Sequence, residues 1–458
     1  MTDRYDVIII GAGPAGIFAA RELCRNSSAK VLLLEKGRLV DKRSCPVSEG
    51  ADKCIHCQPC SIMSGWGGAG AFSDGKLTLT TEFGGWLSDY IGKQRLAELI
   101  EYVDQVYLQH GASDTVYGQN EEEFETMRLH MARANLKLLP ARIRHMGTDN
   151  TLKVLQNLKT ELDPHITIKT GEAVESILVE RHRAKGVRTK RGSYYAPRII
   201  CAPGRDGAQW FSEQMLKLKI PLSNNQVDIG VRVELPAVTM QDFTDKVYEP
   251  KIVYNTKEFD DLVRTFCVNP NGHVVMENTN GIITVNGHSY AGSKSNNSNF
   301  ALLLSQEFTE PFNQPIIYGR CIASLANMLS GGIIVQRFGD LKRGRRSTKA
   351  RIAKGLVEPT LKAAVPGDLS LVLPHRYMVG IKECLEALDK AIPGLGADHT
   401  LLYGIETKFY SARPQLSSSL KTCIEGLWAS GDGAGVTRGL IQASVSGVVS
   451  AREILSEI

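Results

Sequence analysis

Residues 7–16, VIIIGAGPAG, constrain this chain more than any other stretch. They read as one buried β-strand running straight into a glycine-rich turn and a helix. The three glycines differ in what they allow. Gly11 permits the tight turn, Gly13 lets backbone approach a pyrophosphate, and Gly16 lets the helix lie close to the strand. Pro14 and Ala15 belong to the same cradle. The helix N-terminus faces the phosphates with N–H groups and a positive dipole end. A second apolar strand, residues 31–34, ends in Glu35, where an acid binds the hydroxyls of an adenosine ribose, and Lys36 follows it. The pattern implies a dinucleotide cradle, with FAD and NAD both open.

Three later segments bear on that choice. Residues 65–77, GWGGAGAFSDGKL, concentrate the small residues Gly67, Gly68, Ala69 and Gly70, followed by Ser73 and Asp74, so that backbone can pass close to a flat ring or a phosphate. Residues 199–205, IICAPGR, form an apolar strand ending in Ala202, Pro203 and Gly204. Residues 427–447 deliver Gly431 and Asp432 from a strand and begin a helix near Arg438, Gly439 and Gln442. This three-part return to the amino-terminal cradle resembles the glutathione-reductase-type flavoproteins. In that group the Gly-Asp segment contacts the ribityl and pyrophosphate portion of FAD, and the next helix points its N-terminus at the flavin ring.

The combination of GAGPAG, GWGGAGAFSDGKLTLT, VDIGVRVE, VNGHSYAG, LLYGIETKFYSARP and GDGAGVTRGLIQASVSG resembles the bacterial family named only as uncharacterised FAD-dependent dehydrogenases. The resemblance covers nearly the whole chain. It implies FAD, flavin redox chemistry and an α/β fold, but no substrate. The expected architecture is a discontinuous Rossmann-like FAD-binding domain of the glutathione-reductase type with an inserted α+β substrate domain. Its expected parts are residues 1–80, 166–215 and 401–458 for FAD, 85–165 as a helical insert, and 216–400 as the substrate or cap domain. Apolar spacing predicts helices over 94–109, 121–136 and 151–161, and short strands over 173–200. Residues 227–235 alternate as a half-buried strand, Asn-Gly turns fall at 271 and 280, and the polar stretch 293–299 reads as a loop.

A chain of 458 residues exceeds what one hydrophobic core usually serves. Its 54 basic and 49 acidic residues leave a net charge of +5, too mild to argue for nucleic acid. The run LKRGRR at 341–346 reads as a solvated turn. With no apolar stretch of membrane-spanning length and a strand at the amino terminus, the expectation is a cytoplasmic protein.

Four of the ten cysteines, Cys45, Cys54, Cys57 and Cys60, share one polar loop. The spacing of the last three repeats every third residue, as in bacterial ferredoxin loops, and Cys45 could supply the fourth ligand of a [4Fe-4S] cluster. A redox dithiol is the alternative, with zinc or inert thiols behind it. The expected partners are a small-molecule substrate and an electron carrier such as ferredoxin, because no second GxGxxG unit is present to take NAD(P)H.

Substrate is expected where the inserted domain meets the flavin. His288, in the turn VNGHS, is the candidate proton donor, and Lys408 and Arg413 are candidates to hold an anionic substrate or to stabilise reduced flavin. Asn286, Tyr410 and Arg438 are further polar candidates. The leading expectation is hydride transfer between flavin N5 and a small molecule. An RNA-modifying or interacting flavoprotein is the alternative, and a flavin monooxygenase, suggested by Asp206-Gly207, stands behind it.

Overall fold

A computed structural model describes residues 4–46, 57–73, 75–279, 281–289, 294–312 and 314–458. Asp74 and Cys54 lie outside the described residues. The chain divides into two compact units, Met1–Thr115, Arg144–Asn225 and Ser411–Ile458 forming the first, Val116–Ile143 and Gln226–Tyr410 the second.

The first unit is built on a parallel sheet with the strand order Leu427–Ala429, Arg198–Cys201, Val7–Ile10, Val31–Glu35, Thr167–Thr170. Its central strands are buried throughout, as their unbroken apolar sequences require when both faces of a sheet are covered. The chain adds strands outward on one side of Val7–Ile10 and then returns to the other side. That reversal is a topological switch point, where a crevice opens beyond the carboxyl ends of the strands. Three antiparallel strands, Val174–Glu180, Arg183–Thr189 and Gly192–Tyr195, form a separate small sheet.

Helix Pro14–Asn26 packs on the carboxy-terminal helix Leu440–Glu457. A Cβ at Gly447 would overlap the Ala15 carbonyl oxygen, so the two backbones touch. Gly447→Ala is therefore expected to cost about 1–3 kcal/mol, read as a lower urea midpoint. An unchanged midpoint would show that the helices can separate without loss.

The helices predicted by spacing exist with shifted ends. Lys93–Gln109 and Thr148–Leu162 extend slightly beyond the expectation. The middle one stops at Ala132, because Asn135 takes a φ of 59° and the chain turns into strand Lys137–Leu139. That strand pairs with Lys251–Asn255, which assigns residues 116–143 to the second unit rather than to a single helical insert.

The second unit holds a mixed sheet in the order Val365–Pro366, Ile334–Arg337, Leu401–Lys408, Val227–Pro236, Asn297–Gln306, Leu262–Asn269, Lys251–Asn255, Lys137–Leu139. On Val227–Pro236 the residues Ile229, Val231, Val233 and Leu235 enter an apolar core with Ile381, Leu385 and Leu388 of helix His375–Ala391. The alternate residues Asp228, Arg232 and Glu234 are buried too, so this strand is covered on both faces rather than half-buried. Residues 297–299 are not loop but the start of a central strand. Pairing with Val227–Pro236 overrides their polar composition, and the Asn297 side-chain amide donates to Glu234 at 3.1 Å while the Asn299 side-chain oxygen Oδ1 accepts from Arg232 at 3.0 Å.

Candidate functional site

At the switch point each glycine of the amino-terminal turn has a physical reason. Gly11, with φ 100°, lies against the Ala202 carbonyl oxygen, so the first turn and the Ala202-Pro203-Gly204 turn meet. A Cβ at Gly16 would overlap the Gly11 carbonyl oxygen, which fixes the helix close to the strand. Gly13 differs: the nearest atom to its hypothetical Cβ is the Gly68 Cα, 4.0 Å away. The backbone there borders open space, and no side chain caps the helix that begins at Pro14.

The second glycine-rich segment closes over this turn. The Gly67 N–H donates to the Ala12 carbonyl at 2.8 Å, and residues Gly68–Phe72, which include Ala69 and Gly70, form a short 3-10 turn. The Ser73 hydroxyl ends that turn by donating to the Gly70 carbonyl at 2.8 Å. From the far end of the chain, Gly433 packs on the Gly204 carbonyl and Gly431 on the Ala15 methyl. Turns separated by hundreds of residues thus converge on one place.

Glu35 is buried at the end of its strand, accepting from the Ala12 N–H at 2.8 Å through one oxygen and from the Gly37 N–H at 2.7 Å through the other. It organises the turn and keeps lone pairs for a further donor. Lys36 forms an ion pair with Asp206 at 2.6 Å, and the Ser64 hydroxyl donates to the same carboxylate at 2.6 Å. Burial pushes the Asp206 carboxyl up, but Lys36 and Ser64 outweigh it and hold it below the ordinary range. A depressed pKa stabilises the fold above the unfolded value of about 3.9 and is lost as pH falls through the folded value. Asp206→Asn should accordingly flatten the acid limb of the stability profile; an identical limb would remove Asp206 from the clasp.

Asp432 accepts from the Thr437 hydroxyl at 2.8 Å and the Gly439 N–H at 3.3 Å, and burial pushes its carboxyl up. Gly439, with φ 93°, borders open space at the uncapped N-terminus of Leu440–Glu457. The Gln442 amide donates to the Phe83 carbonyl at 3.0 Å, while its own buried oxygen has no partner among the described residues. Arg438 stacks on Trp86, with 4.2 Å from guanidinium to ring centroid.

Two residues of this region escape sequence reasoning. Arg43 is buried and donates to the carbonyls of Ser61, Ile62, Trp66 and Gly68 at 2.7–2.9 Å. Burial lowers its pKa to about 10, which still leaves it charged at neutral pH. Trp86 is the second, brought to Arg438 by hydrogen bonding of Trp86 N–H to Val436 O at 2.9 Å. Arg43→Lys keeps the charge but loses the planar fork. It should loosen the 61–68 turn and weaken nucleotide binding about tenfold, measured by equilibrium dialysis; undiminished binding would show the turn to be self-supporting.

The candidates outside the cradle are distributed between the units. Arg413 belongs to the first, stacked on Trp86 at 4.8 Å and 3.8 Å from Asp89. His288 and Lys408 belong to the second. His288 is the exposed last residue of strand Ile282–His288, not part of a turn, because Ile282–His288 pairs fully with His273–Thr279. Lys408 sits at the edge of a buried ion network, 2.9 Å from Glu406. Arg232 clasps Glu406 through two bonds of 2.7 and 2.8 Å and reaches Asn269, Asn286 and Asn299. Tyr410 donates to Asp228, which also pairs with Arg264. Cys45, Cys57 and Cys60 are free thiols. Among the described residues, no group of three or more His, Cys, Asp or Glu is placed to hold a metal ion. No helix among them is long and apolar enough to cross a membrane.

Residues 226–409, nearly the whole of the second unit's larger segment, match the family described as FAD-dependent protein, C-terminal domain-like. A protein of Clostridium beijerinckii described as uncharacterised is 28% identical, over 98% of this chain and 80% of its own length. Solved structures similar to this chain include L-proline dehydrogenase from P. horikoshii, with 10% identity, TM-score 0.41 and coverage of 100% of this chain and 95% of that one. Glycine oxidase from Geobacillus kaustophilus has 13% identity, TM-score 0.41 and the same coverage. L-Amino acid deaminase from Proteus myxofaciens has 12% identity, TM-score 0.41 and coverage of 100% and 91%.

Proposed function

We propose that this chain is an FAD-dependent oxidoreductase acting on a small molecule. The observation that carries the reading is the meeting of the Gly11–Gly16, Gly67–Gly70, Ala202–Gly204 and Gly431–Gly433 turns at the switch point of a parallel sheet. The family match of residues 226–409 supports it independently.

The cradle fits FAD in detail. Gly13 leaves room where a pyrophosphate must approach, the uncapped helix Pro14–Asn26 supplies the positive end of its dipole, and Glu35 keeps acceptor capacity for ribose hydroxyls. Gly439 and the uncapped helix behind it, together with the Gln442 oxygen that has no partner among the described residues, provide a second polar end at which the ring system would lie. Bound FAD would supply hydride-accepting and hydride-donating chemistry at N5, while the chain binds and orients. The three-part return of the chain favours the glutathione-reductase-like manner of holding the cofactor. Without a second glycine fingerprint, an electron carrier such as ferredoxin is the natural second partner.

The test is anaerobic exposure of the flavin-loaded protein to fractionated metabolite pools. A fraction that bleaches the flavin absorbance is expected. A flavin that responds to no fraction, with RNA retained through purification in a salt-sensitive manner, would favour the nucleic-acid alternative.

A further inference from the structure

We propose that Arg413 and Arg438, both stacked on Trp86, form a clamp for a substrate carboxylate, an inference that rests on the flavoprotein reading above. The guanidinium carbons lie 4.8 Å and 4.2 Å from the centre of the same indole ring. Such stacking presets the planar forks, so less freedom is lost when they take a ligand.

The backbone around the stack is held from several directions. Trp86 N–H donates to Val436 O at 2.9 Å and Arg438 N–H to Gly84 O at 2.6 Å, laying residues 84–86 along 436–438. Residues Arg413–Pro414 pair with Leu222–Ser223, and the Asn225 amide donates to Ser411 O at 2.5 Å and Gly435 O at 3.4 Å. Two chain segments on either side of the Gly-Asp turn are thereby brought to one ring.

Charge matching separates Arg413 from the structural arginines. Arg144 is bound by both oxygens of Asp104 at 2.7 and 2.8 Å, and Arg232 by both oxygens of Glu406 at the same distances. The carboxylate beside Arg413 among the described residues is Asp89, at 3.8 Å, and its side chain is 63% exposed against 25% for Arg413. A long, solvent-screened pair is weak. A ligand carboxylate offering two parallel N–H···O contacts displaces it.

The probes are benzoate and its uncharged counterpart benzamide, titrated into the flavin-loaded protein and followed by tryptophan fluorescence and calorimetry. Benzoate is expected to bind at least about tenfold more tightly. Arg413→Gln should weaken benzoate about 10- to 30-fold with benzamide binding and flavin content unchanged, and Arg413→Lys should restore part of the loss. Asp89→Asn removes the competing carboxylate and should tighten benzoate about threefold, a gain that misfolding cannot imitate. Equal binding of the two probes, or benzoate binding by flavin-loaded Arg413→Gln at the unmodified strength, overturns the clamp alone. Absence of flavin from the unmodified protein overturns the flavoprotein reading as well.

Discussion

Gly13→Ala protein is expected to fold and yet to lose its flavin nucleotide. The backbone at Gly13 has φ −78° and ψ −177°, which alanine adopts without strain, and its added methyl would meet no atom of the chain nearer than 4.0 Å. Unfolding midpoints should therefore match the unmodified protein. In the cradle, however, that methyl takes the place where the pyrophosphate must lie against backbone. Affinity for FAD should fall about 100-fold, the upper end of what one misplaced methyl costs in a packed contact. Gly11→Ala behaves differently, because its methyl would collide with the Ala202 carbonyl at a positive φ, so stability and nucleotide binding fail together. Equilibrium dialysis with FAD, alongside urea unfolding, separates the two variants. Full FAD affinity in Gly13→Ala would place the nucleotide elsewhere.

Arg232→Ala should be among the most destabilising single changes in the second unit, at about 3–5 kcal/mol. The guanidinium and the Glu406 carboxylate are both fully buried, and the deletion strands Glu406 with Lys408 as its remaining cation. Three asparagine side-chain oxygens and the Cys267 carbonyl lose a donor at the same time. Glu406→Leu alone should cost a similar amount, and the double variant less than the sum, since no orphaned carboxylate is then left. Burial pushes the Glu406 carboxyl up, but Arg232 and Lys408 hold it below the ordinary glutamate range. Its contribution is present above about pH 4.3 and disappears as pH falls through the lowered folded value. Additive losses in the double variant would mean that the two side chains act independently.

Local chemistry explains which parts of this molecule are legible from sequence. Gly11, Gly13, Gly16 and Glu35 lie within one strand-helix-strand unit, where turn geometry and helix packing dictate residue type directly. The later turns at Ala202–Gly204 and Gly431–Asp432 are visible as strand endings, although only the fold shows Gly433 seated on Gly204. Arg43 and Trp86 carry no such local mark. Their roles arise from contacts with backbone carbonyls and with Arg413 and Arg438, which no spacing rule encodes.

The second unit misleads for a related reason. Lys408 looks like a candidate for substrate when read singly, whereas antiparallel pairing of its strand sets it beside the fully buried pair of Arg232 and Glu406. Residues 297–299 resemble a loop until Glu234 and Arg232 are available to receive them. His288 likewise looks like a turn residue until its strand is paired with His273–Thr279.

The most direct measurement is the flavin content of the purified chain, released by denaturation and quantified against protein before and after incubation with free FAD. Convergence of the four glycine turns requires close to one FAD per chain after incubation. A protein that emerges without flavin and takes up none would contradict the cradle itself.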